Sequence, residues 1–74
     1  MPYRTNRKTY RNYAVEDNHY ALNTAVRLKR FLDDNPYLDN ELFDLLNRNI
    51  DIMYELAKVT QDIIAYANGA RKNI

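Results

Sequence analysis

An all-α helical hairpin is the fold class this chain predicts, and three observations carry it. The 74 residues include one glycine and two prolines, too few for the turns of a β protein. Apolar residues recur at alternating spacings of four and three through residues 38–66, the period of a helix face. One strong break, Asn35-Pro36, divides the helical pattern, because the residue before a proline disfavours helical dihedrals.

The first helix is expected over about residues 18–34, with Asp17 or Asn18 accepting the free amides of its first turn. Its apolar stripe is Ala21, Leu22, Ala25, Leu28 and Leu32, flanked by Val26 and Phe31. The second helix is expected over about residues 37–67, starting near Pro36 or, after a turn, near Asn40. Gly69 then suits a left-handed C-terminal cap. One stripe on it runs Leu38, Leu42, Leu45, Asn49, Ile52, Leu56, Val59, Ile63 and Tyr66. A second runs beside it: Phe43, Leu46, Ile50, Met53, Ala57, Thr60, Ile64 and Ala67. Two adjacent stripes imply neighbours on two sides, unlike a two-stranded coiled coil. The domain division is a basic flexible arm, residues 1–14, and a helical hairpin domain, residues 15–74.

Length sharpens the expectation. The long helix spans roughly 42 Å and the short one about 24 Å at 1.5 Å per residue. The short helix then leaves Val59, Ile63, Ile64 and Tyr66 without cover from within the chain. Leaving such side chains in water forgoes about 1.5–3 kcal/mol apiece. Either Tyr10 and Tyr13 of the arm pack there or another chain does, and the second is favoured. The expected oligomer interface is Asn49, Leu56, Val59, Ile63, Ile64 and Tyr66, giving an oligomeric bundle. Asn49 either pairs with its own copy and fixes register or faces a partly wet edge.

Cysteine is absent and His19 is the single histidine, so no disulfide framework, thiolate site or zinc site is expected. A chain this short buries too little surface to be comfortably stable alone, which again points to association. No apolar run approaches the ~20 residues needed to span a bilayer, and no secretory signal is expected. The net charge of +1 hides a segregation. Residues 1–13 hold four bases and no acid, whereas residues 14–74 hold seven bases against ten acids. Five acids (Asp33, Asp34, Asp39, Glu41 and Asp44) occupy residues 33–44 without a base.

Enzymatic chemistry finds no support in the residues. The run DDNPYLDNELFD fails as a calcium loop, since Leu38 stands where an EF-hand starting at Asp33 needs glycine. His19 lies near Glu16 and Asp17 without a nucleophile, and a single glycine excludes a phosphate loop. Catalytic residues, cofactors and metals are therefore expected to be none, and the chain to act by binding.

The opening stretch MPYRTNRKTYRNY suggests how. Arg4, Arg7, Lys8 and Arg11 can neutralise phosphates, and Tyr10 and Tyr13 can stack on unpaired bases. Arg27, Lys29 and Arg30 add a basic cluster on the first helix. These nine residues are the candidate contacts to nucleic acid or a partner. A protein surface is the alternative target. An inert tail, or an arm held by the acids of residues 33–44, is the plainer reading.

Residues 1–14, MPYRTNRKTYRNYA, resemble the Tyr/Arg/Asn-rich disordered N-terminal arm of some phage anti-CRISPR inhibitors of Cas9. The resemblance rests on composition and does not extend to the helical body. It implies a small inhibitor of phage or mobile-element type, located in the host cytoplasm or the virion, that docks on a guide-RNA nucleoprotein. A virion assembly protein whose arm contacts capsid or packaged genome is the structural alternative. A DNA-binding regulator is a further one, disfavoured because the second helix is net acidic.

Overall fold

The computed structural model describes residues 6–69 and consists of two antiparallel helices joined by a short turn. Helix α1 spans Arg7–Asp34 and α2 spans Asn40–Ala67, each of 28 residues. The expected hairpin is present; its boundaries differ from expectation at both starts. Residues 7–14, assigned by sequence to an extended arm, form the first two turns of α1. Residues 1–5 lie outside the described residues. Helix α2 starts at Asn40, later than residue 37.

Each boundary has a local cause. Asn6 is the N-cap of α1: its Oδ1 accepts the Thr9 amide at 3.1 Å, where Asp17 or Asn18 was expected to serve. Asn35 closes the same helix. Its amide donates to the Leu32 carbonyl at 3.2 Å and its Nδ2 to the Phe31 carbonyl at 2.9 Å. Pro36 follows and has no amide with which to continue. Asp39 caps α2 by accepting the amides of Glu41 (3.1 Å) and Leu42 (3.3 Å). Its carboxylate lies at the positive end of the helix dipole. At the far end Gly69, at φ +81°, takes the left-handed conformation that other residues adopt at a cost.

The extra turns of α1 remove the length mismatch on which the uncovered C-terminal half of the second helix was argued. The two helices now match end to end, and Tyr10 reaches Tyr66 with ring centroids 6.5 Å apart. The helix–helix seam follows heptad spacing from both sides. On α1 it is Ala14, Asn18, Ala21, Ala25, Leu28 and Leu32; on α2 it is the second of the two stripes. Ile64 follows Ile50 and Ala57 at seven-residue intervals, so it belongs to this internal seam rather than to an outer interface.

The packing is unusual in what it buries. The buried apolar residues are Ala14, Ala21, Ala25, Ile50, Ala57 and Ala67, five of them alanine. Small side chains bring the helix axes close, but each removes little apolar area from water. The larger side chains of the first stripe of α2 remain outside this core. No helix among the described residues is long and apolar enough to cross a membrane.

Candidate interaction surfaces

One polar contact sits inside the alanine seam. Asn18 Nδ2 donates to the Ala57 carbonyl and to Thr60 Oγ1, both at 2.9 Å. The Thr60 hydroxyl, 2% exposed, in turn donates to the carbonyls of Leu56 (2.8 Å) and Ala57 (2.9 Å). No buried side-chain polar atom among the described residues lacks a partner. Asn18 is thus a mid-helix residue that fixes how the two helices slide past each other. The sequence signal for it was the 4-3-4 spacing Ala14–Asn18–Ala21–Ala25, which the expected start at residue 18 concealed.

The hairpin has two faces, marked by two ring contacts. Tyr10 against Tyr66 lies on one. On the other, Lys29 Nζ stands 5.7 Å from the Tyr54 ring centroid, a cation–π distance. Beside that contact a groove of about 350 Å³ runs past Leu32, Phe43 and Ile50, with Asp33 and Asp51 on its rim.

The Tyr10–Tyr66 face is the more apolar. Tyr10, Val59, Ile63 and Tyr66, with Asp62 at the edge, line a shallow cleft of about 500 Å³. From there the first stripe of α2 continues along the whole helix. Leu45 is 54% exposed and Ile52 58%, with Leu42, Val59 and Tyr66 also exposed and Leu56, Ile63 and Asn49 half-buried. On α1, helical periodicity from Tyr10 places Tyr13, Tyr20 and Phe31 on this side, all exposed. Of the expected oligomer residues, Asn49, Leu56, Val59, Ile63 and Tyr66 share this face.

The basic candidates divide differently. Arg7 and Lys8 are exposed in the first turn of α1, and Arg11 Nη1 donates to Asn68 Oδ1 at 3.2 Å across the end of the hairpin. Arg4 lies outside the described residues. Arg27, Lys29 and Arg30 are exposed toward the opposite end of α1, so they form no single patch with Arg7, Lys8 and Arg11. Some 20 residues of helix, about 30 Å, separate the two groups. Because the chain folds back once, Arg7, Lys8 and Arg11 occupy one pole, and Asp33, Asp34, Asp39, Glu41 and Asp44 surround the turn at the other.

His19 is exposed, and no group of three or more His, Cys, Asp or Glu among the described residues is placed to hold a metal ion. No protein-family model, curated protein or solved structure matches the chain.

Proposed function

We propose that this chain is a small non-enzymatic binding protein that docks on a nucleic acid or a nucleoprotein machine through its basic pole and modulates it. The observation that supports this reading is charge segregation. Arg7, Lys8 and Arg11 project from the N-terminal turns of α1, in a stretch that follows Arg4 and contains no acid before Glu16. The positive end of the α1 dipole adds to their field. Presentation on a helix gives the bases fixed spacing, so less ordering accompanies binding than for the disordered arm that the resemblance implies. An inhibitor of a guide-RNA nuclease is the specific form of this reading. Self-association through the apolar face is part of the same reading.

The test is binding of a fluorescent single-stranded oligonucleotide, its duplex, and a guide-RNA nuclease complex across roughly 50–200 mM salt. Replacing Arg4, Arg7, Lys8 and Arg11 together by alanine is expected to weaken binding and flatten the salt slope by about 0.7–0.9 per lost phosphate contact. Alanine favours helix, so the fold is preserved. Unchanged binding by the variant, or none by the parent chain, overturns the proposal.

A further inference from the structure

We infer that the apolar face is occupied by a second copy of this chain packed antiparallel, so that two hairpins close into a four-helix bundle with α2 against α2 and α1 against α1. This rests on the self-association part of the proposed function and adds its geometry. Area is the first argument. A buried aromatic removes about 150–250 Å² from water, so a half-exposed large side chain leaves roughly 100 Å². Tyr13, Tyr20 and Phe31 of α1, with Leu42, Leu45, Ile52, Val59 and Tyr66 of α2, are exposed to about that degree. Together they leave about 800 Å², the contribution of one partner to a standard interface. Patches of this size are rare on monomers.

Register is the second argument. In an antiparallel pair of helices, each inward row must read complementarily in reverse. The exposed stripe of α2 does so about a midpoint at Tyr54. Leu42 meets Tyr66 of the partner subunit, Leu45 meets Ile63 of the partner subunit, and Ile52 meets Leu56 of the partner subunit. Asn49 faces Val59 of the partner subunit, the one polar mismatch. The facing row of α1 is Tyr13, Asp17, Tyr20, Thr24, Arg27 and Phe31, with its midpoint at Leu22. Reversal pairs Tyr13 with Phe31 of the partner subunit and Asp17 with Arg27 of the partner subunit.

The two midpoints were located on different helices, yet they fall level in the hairpin. Tyr10 contacts Tyr66. Twelve residues onward from Tyr10 is Leu22, and twelve back from Tyr66 is Tyr54. The Asn18–Ala57 hydrogen bond gives the same alignment to within a residue. One two-fold axis therefore serves both rows. The same axis sets the basic pole of each hairpin beside the acidic turn of the other. A parallel dimer would instead gather like charges at both ends.

The chain contains no cysteine, so single introduced thiols report geometry directly. Oxidising an equimolar mixture of the Leu45→Cys and Ile63→Cys chains is expected to give the mixed disulfide dimer, with little dimer from either alone. The charge pair is tested by sedimentation of the reduced parent chain and its variants. Asp17→Arg and Arg27→Asp are each expected to weaken the dimer about tenfold, and the double reversal to restore it. Asp17 and Arg27 are exposed and ten residues apart on one helix, so neither reversal disturbs the hairpin itself. Disulfide dimers formed by each thiol chain alone, or reversals whose effects add without rescue, overturn the antiparallel arrangement and leave self-association standing. A monomer at every concentration overturns both, independently of any nucleic-acid result.

Discussion

Replacing Asn18 by alanine tests how the hairpin holds its register. Asn18 Nδ2 makes two hydrogen bonds across the seam, each 2.9 Å long, to the Ala57 carbonyl and to Thr60 Oγ1. At about 0.5–1.5 kcal/mol net per bond the loss is about 1–3 kcal/mol. In a domain of 60–100 residues each kcal/mol moves Tm by about 4–8 °C, so a central loss of about 2 kcal/mol lowers it by about 8–16 °C. Thr60→Val keeps the side-chain shape and removes the hydroxyl that Asn18 meets. Because the two residues share a bond, the double variant is expected to cost less than the two singles together by at least about 0.5 kcal/mol. Thermal and urea unfolding followed by helical circular dichroism, all at one protein concentration, gives every corner of the cycle. A Tm for Asn18→Ala within about 2 °C of the parent chain, or effects that add within about 0.3 kcal/mol, would refute the role given to this contact.

Two further substitutions probe the seam and the start of α1. Ala25 is fully buried against α2, so Ala25→Leu is expected to force the helices apart and cost about 1–3 kcal/mol, read as a lower urea midpoint. A midpoint equal to that of the parent would mean that close approach is not needed there. Asn6→Ala removes the N-cap and is expected to cost about 1 kcal/mol, with faster amide exchange confined to the first turns of α1. Exchange that is already fast through residues 7–14 in the parent chain would instead support an extended arm.

The residues made the hairpin legible because three independent signals agreed: few turn residues, one Asn-Pro break and unbroken heptad spacing in the second half. The start of α1 was not legible for a physical reason. Arg7, Arg11, Ala14 and Asn18 continue the seam spacing backward from Ala21, but three of the four are polar, so the hydrophobic period fades although the helix does not. Arg11 shows how a base serves at such a position: its guanidinium reaches over the end of the seam to Asn68. The Asn6 cap was likewise hidden by its surroundings, since Asn among Arg, Lys and Tyr reads equally as a binding arm.

On α2 the two stripes were both visible, but their division of labour was not. The sequence offers large side chains in the first stripe and smaller ones, Ala57, Thr60 and Ala67, toward the end of the second. The small-residue stripe faces α1 because Ala14, Ala21 and Ala25 on the other side permit close approach there. The larger side chains are thereby left on the outside, and five alanines and one isoleucine make up the buried apolar core. Folding of a single hairpin leaves most of its available hydrophobic area in water. A second hairpin on that face would bury it, giving a two-layer bundle rather than a single layer of helices.

That relation between core and surface is tested most directly by sedimentation equilibrium of the parent chain from low to high micromolar concentration. A face-to-face pair gives a mass rising toward twice the 8.8 kDa of one chain, with Tm rising over the same range. A mass of 8.8 kDa throughout, with Tm independent of concentration, would contradict it.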